Sequence, residues 1–278
     1  MKTSTQLKAL IRNLSKKSSV EAEILLRNFM LERLLERIAV SSYRHNFILK
    51  GGMLIAAMVG IDTRSTMDMD ATIKGQTLTA PAITSIIKEI LFTPIDDGVK
   101  FTFLGIEEIR LDADYPGYRV SISAILDKTR QILKVDITTG DSIMPREMEY
   151  RFKLMFEDRS ISILAYNLET VLAEKFETVI TRGVTNTRMR DFYDIYILTT
   201  TQPFDMSIFK AALAKTAEKR GTSKQMADTA DVIEMVAKNP LMIDLWQKYS
   251  KKYNYATDVT WDMVVGTVKR LAENATGE

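Results

Sequence analysis

A pair of glycines wedged between two apolar runs sets the first limit on how this chain can fold. Phe47-Ile48-Leu49-Lys50 leads into Gly51-Gly52, and Met53-Leu54-Ile55-Ala56-Ala57-Met58-Val59 follows. Neither glycine carries a Cβ, so the backbone can turn tightly there and come close to a ligand. The run after the pair reads as a short buried helix closed by Gly60. A charged turn, Asp62-Thr63-Arg64-Ser65, then leads into Asp68-Met69-Asp70. If that segment is a strand, the two carboxylates share a face. Such a pair suits a hard cation such as Mg²⁺ carrying a nucleotide's phosphates. Separately, an Asp-x-Asp is common in surface turns and a Gly-Gly is usually a bend; the combination with apolar flanks and the basic Arg64 is what carries the reading.

Composition narrows the chemistry. The chain has 278 residues, 46% of them hydrophobic and 27% charged, as expected of a globular protein with a sizeable core. A net charge of only +2 argues against attachment to nucleic acid by bulk charge and leaves room for a local basic patch. There is no cysteine, which excludes thiolate catalysis and cysteine-ligated zinc. The single histidine, His45, lies in the polar turn Ser41-Ser42-Tyr43-Arg44-His45-Asn46 and reads as a solvated loop residue. Chemistry therefore falls to carboxylates, Lys and Arg. No apolar run approaches membrane-spanning length and no signal peptide is evident near the N-terminus, so a cytoplasmic location is expected.

Along the chain, residues 20–40 have helical periodicity, with Glu32, Arg33, Glu36 and Arg37 expected on a solvated face. The preceding segment, with Lys8, Arg12, Lys16 and Lys17, reads as a basic terminal helix. Pro81 suits the first turn of a helix over 81–92. Period-two patterns over 99–103 and 119–125, with the turn signal Tyr115-Pro116-Gly117-Tyr118 between them, predict antiparallel neighbours. The strand expected over 132–141 places Asp136 amid Ile132, Leu133, Val135 and Ile137; a carboxylate there must be paired, bind a cation or face solvent on an edge. Ile161-Ser162-Ile163-Leu164 reads as a further strand. Beyond it the pattern is helical: Asn167 caps a helix ending at Gly183, a second runs from about Thr187 to Leu198, and four more follow over 206–218, 226–238, 240–253 and 258–273.

The stretches Phe47-Ile48-Leu49-Lys50-Gly51-Gly52-Met53-Leu54 and Arg64-Ser65-Thr66-Met67-Asp68-Met69-Asp70 closely resemble the AbiEii/AbiGii toxin family of the nucleotidyltransferase superfamily. Leu168-Glu169-Thr170-Val171-Leu172-Ala173-Glu174-Lys175 and Thr187-Arg188-Met189-Arg190-Asp191-Phe192-Tyr193-Asp194 look like that family's third and fourth motifs. The resemblance implies an α+β fold, with a nucleotidyltransferase-like mixed sheet and flanking helices over 1–165 and a helical bundle over 166–278. It implies Mg²⁺ on Asp68, Asp70 and Asp136. It further implies catalytic roles for Lys175 and Asp191, with Asp194 a neighbour of either, and NTP contacts at Gly51, Gly52, Met53, Arg64, Lys175 and Arg190. Asp191 would orient either Lys175 or a bound hydroxyl. Met53 stands where relatives often carry Ser or Thr, so backbone amides would have to serve the phosphate. The implied activity is toxic transfer of nucleotides from NTP to RNA, with the tRNA 3′ end as the expected acceptor. The implied partner is a cognate antitoxin acting as a transcriptional repressor. Transfer to a protein or small molecule, and nucleotide-dependent regulation without turnover, are the alternatives.

Overall fold

A computed structural model describes residues 3–76, 79–109 and 117–276, so Tyr115-Pro116 of the expected turn lie outside the described residues. The chain divides into two compact units, one comprising Met1–Gly140 with Met148–Ala165, the other Asp141–Glu147 with Tyr166–Glu278.

In chain order the first unit contains α1 (Ser4–Ser18), α2 (Ala22–Val40), β1 (Phe47–Lys50), α3 (Gly51–Val59), β2 (Met69–Ile73) and α4 (Ala80–Phe92). It continues with β3 (Val99–Ile109), β4 (Gly117–Leu126), β5 (Thr129–Thr138), β6 (Met148–Lys153) and β7 (Ser160–Ala165). These strands form one mixed sheet in the order β3-β4-β5-β2-β1-β7-β6. The pairs β2–β5 and β1–β7 are parallel and the others antiparallel. The period-two pattern sorts the faces: Val120, Ile122, Ala124, Leu133, Val135 and Ile137 are buried on one side, while Lys100, Lys134 and Arg130 on the other are exposed. As expected, β3 and β4 are antiparallel neighbours. Two boundary differences bear on the site. Asp68 lies just outside β2, and α3 begins at Gly51 itself rather than after the glycines.

The charges of α2 do not form a solvated face. Glu32, Arg33, Glu36 and Arg37 are all buried. Arg33 pairs with Glu157 at 2.8 Å, and Arg37 pairs with Asp97 at 2.7 Å while donating to the Val99 carbonyl at 2.9 Å. Their partners come from loops some 60 and 120 residues downstream, which helical periodicity cannot reveal. Glu32 receives the Met155 N–H on both oxygens, at 3.1 and 3.2 Å, and burial pushes its pKa up to about 8 from 4.5. The folded protein therefore holds a proton that the unfolded chain has already released between those values, so stability should fall as pH rises through that window. Glu32→Gln should flatten this dependence, narrowing the change in unfolding free energy between pH 5 and pH 8 by on the order of 3 kcal/mol. Thermal or urea melts at the two pH values check it.

The second unit is helical: α5 (Leu168–Arg182), α6 (Met189–Thr201), α7 (Met206–Lys219), α8 (Thr229–Lys238), α9 (Pro240–Lys252) and α10 (Trp261–Thr276). Its starts follow from local chemistry. Asn167 accepts the Thr170 N–H at 2.8 Å, Asp205 caps α7, and Asn239 caps α9 with Pro240 in the first turn. Phe192 and Tyr193 are buried, Phe192 against Trp261 at 5.3 Å and Tyr193 against Tyr255 at 4.9 Å between ring centroids. They belong to the core. Among the described residues no helix is long and apolar enough to cross a membrane.

Candidate active site

In the first unit the site is built on the turn from β1 into α3. Gly51 has φ of +64°, and a Cβ placed on it would stand 2.2 Å from Asp70 Oδ2. The Gly52 N–H donates to that same oxygen at 3.4 Å. The glycines thus let a helix start abut a carboxylate. Gly51, Gly52 and Met53 form the first turn of α3, whose amides make an anion-binding end of the kind phosphates use. Arg64, expected among the phosphate contacts, is instead only 2% exposed and donates to the carbonyls of Ser65 (2.9 Å) and Gly52 (3.5 Å). It braces the glycine turn from behind. Asn28 donates to the Thr66 carbonyl at 2.8 Å, and Thr66 Oγ1 to the Asp68 carbonyl at 3.2 Å, fixing the approach to β2.

Strand register assembles the remaining groups. Lys50 on β1 is the partner of Asp70 on β2, Asp70 of Asp136 on β5, Asp136 of Arg119 on β4, and Arg119 of Glu107 on β3. Residues directly opposite one another share a face, so these five side chains form one row across the sheet. Arg119 grips Asp136 with a two-pronged ion pair, both contacts at 2.8 Å. Asp68 stands beside the row. Its pKa is raised, first by burial and then by the charges of Asp136 and Asp70, with Lys134 and Arg119 opposing. Lys50 and Arg119 are the functional candidates that sequence reasoning missed; each becomes visible only once its cross-strand partner is known.

The donors fit a hard divalent cation in kind, being carboxylate oxygens, and burial followed by repulsion from Asp136 and Asp70 weakens Asp68's acidity. They do not form a preassembled shell: among the described residues no three His, Cys, Asp or Glu side chains stand together as a metal cluster. Asp136 has both oxygens on Arg119, so a cation on all three acids has to share Asp136 with that guanidinium.

In the second unit, α5 and α6 bring Lys175 onto Asp191 at 2.5 Å and onto Asp194 at 3.1 Å, with both carboxylates buried. Asp191 and Asp194 thus both pair with the Lys175 ammonium. Arg188 Nε adds a contact to Asp191 Oδ2 at 3.1 Å. Arg190 turns to the aromatic cluster, donating to Tyr253 Oη at 3.2 Å with its guanidinium over that ring. Lys175→Met should destabilise the protein by about 2 kcal/mol, less than the loss at a fully enclosed pair because the lysine retains some exposure. Adding Asp191→Asn should recover part of that loss. A double-mutant cycle by chemical denaturation measures it.

A mixed sheet with paired acids on adjacent strands, and a glycine-opened helix against one of them, has the organisation of a nucleotidyltransferase. Solved structures with this fold include two from Helicobacter pylori. JHP933 from Helicobacter pylori matches with a TM-score of 0.55 and 14% identity, covering 93% of this chain and 94% of its own. A putative nucleotidyltransferase from H. pylori matches at 0.54, also with 14% identity, over 93% and 96%. No curated protein matches in sequence. The model of the nucleotidyl transferase AbiEii toxin family, type IV toxin–antitoxin system, matches residues 33–266. The chain belongs to that family.

Proposed function

We propose that this toxin-family nucleotidyltransferase is Mg²⁺-dependent and moves a nucleotide from NTP onto the 3′ end of an RNA, with tRNA the expected acceptor, so that translation and growth stop. One observation carries the reading: Asp70 and Asp136 are register partners on parallel strands, Asp68 flanks them, and a helix start abuts Asp70. Asp68, Asp70 and Asp136 would hold the ion. Bound there, it would neutralise phosphate charge and align the α-phosphate for in-line displacement. The amides of Gly51, Gly52 and Met53 take phosphate oxygens, doing without the hydroxyl that Met53 lacks. Arg119 keeps the Asp136 carboxylate turned along the row, from which it can accept the proton of an attacking hydroxyl. Within the second unit, Lys175, held by Asp191 and Asp194, is a compact positive charge of the kind that serves phosphate oxygens. Membership in a type IV toxin–antitoxin family implies an antitoxin. That this antitoxin is a repressor, and that the toxin meets its RNA in the cytoplasm, are parts of the same proposal.

The acceptor is tested by incubating the purified protein with Mg²⁺, each labelled NTP in turn, and total RNA. Label in the tRNA fraction is the expected result. Label in protein or in a small molecule would move the reading to that acceptor, and tight NTP binding without pyrophosphate release would make the protein a regulator.

A further inference from the structure

The face of the sheet that carries Asp136 continues outward along β3, β4 and β5, and the cations Lys100, Arg130 and Lys134 on it are exposed. On β5 the residues sharing that face are Arg130, Ile132 and Lys134; on β4 they are Arg119, Ser121, Ser123 and Ile125; on β3, Lys100, Thr102 and Glu107. Ile132 is exposed as well. Among the described residues of β3, β4 and β5 the acids on this face are Glu107 and Asp136, Asp136 is paired with Arg119, and Asp68 stands within the field of Lys134. Arg130 donates to Ser123 Oγ at 3.0 Å, which holds its guanidinium down along the sheet. From Arg130 to Asp136 is six residues of strand, roughly 20 Å.

We infer that this open face is the acceptor track, binding the single-stranded end of an RNA so that its terminal hydroxyl arrives at Asp136. The inference rests on the nucleotidyl-transfer reading above and adds where the acceptor lies. Three features favour RNA as the occupant. The cations Lys100, Arg130 and Lys134 suit a phosphate backbone, and such contacts position a strand without reading its sequence. Between them, Thr102 and Ser121 offer hydroxyls to phosphate and ribose oxygens. Exposed Ile132 offers a base an apolar surface on a face otherwise rich in hydrogen-bonding groups. The track also ends on the carboxylate assigned to the attacking hydroxyl, on the same strand and the same face. A net charge of only +2 is no obstacle, because the positive charge here is local.

The test is binding of a fluorescent single-stranded RNA to the full-length protein across a salt series, for wild type and for Lys100→Gln/Arg130→Gln/Lys134→Gln. The triple variant should bind about 10-fold more weakly, and its plot of log affinity against log salt should be shallower by about 2, from three lost phosphate contacts. The Lys100→Gln/Arg130→Gln pair should share the weakening while its affinity for Mg²⁺-NTP stays that of wild type. An RNA affinity and salt slope unchanged in the triple variant would overturn the track even if the protein transfers nucleotides to RNA. RNA binding that depends on these cations in a protein that transfers nothing to RNA would keep the track and end the transfer reading. Wild-type protein that binds no RNA but docks an acidic protein on this face would overturn the track.

Discussion

Asp70→Asn should lower nucleotide transfer by about 1,000-fold with the fold intact. The divalent ion is asked for several kcal/mol of charge stabilisation, and each 1.36 kcal/mol is tenfold in rate. Asp70 is central to the charged row, standing between Lys50 and Asp136 in register, with the start of α3 against its carboxylate. Asparagine keeps the volume and can still accept the Gly52 N–H, so circular dichroism and the melting midpoint should stay near those of wild type. Transfer that persists within tenfold would remove Asp70 from the metal site.

Gly51→Ala should be costly in a different way, through shape alone. An L-residue at φ +64° costs about 1–2 kcal/mol. The new Cβ would stand 2.2 Å from Asp70 Oδ2 and 2.8 Å from Asp70 Cβ, so the aspartate has to move, for a further 1–3 kcal/mol or so of overpacking. The melting midpoint should fall by roughly 10 °C for a unit of this size. Transfer should drop towards the Asp70→Asn level, because the carboxylate no longer meets the helix start. An alanine variant with wild-type stability and activity would show that the close approach has no role.

What the sequence revealed and what it hid divide along a physical line. Local signals carried through: the glycine pair opens a helix, Asn167 and Asn239 cap helices, and the lone carboxylate among apolar residues lies within β5. The pairing of Lys175 with Asp191 could be suspected only from resemblance, since their spacing of sixteen residues spans two helices and a turn. Register was out of reach. That Lys50 faces Asp70, and that Arg119 clasps Asp136, depends on how strands distant in sequence align, and an unpaired strand carries no mark of its partner. Burial of charge was hidden for the same reason. Arg64 reads as a phosphate contact in a charged turn until Gly52 and Ser65 supply its acceptors, and the α2 charges read as solvated until the loops at 97 and 157 arrive. The strand β6 was overlooked although Met148, Tyr150 and Phe152 alternate with Glu149, Arg151 and Lys153, a period-two signal written in the segment itself.

The chemistry rests on which phosphorus is attacked, and parallel reactions with NTP labelled at the α- or at the γ-phosphate read that directly. Nucleotidyl transfer predicts α-label in the acceptor, none from the γ-position, and γ-label released as pyrophosphate, all lost in Asp70→Asn. Acceptor labelled from the γ-phosphate, or α-label incorporation untouched by Asp70→Asn, would contradict the account.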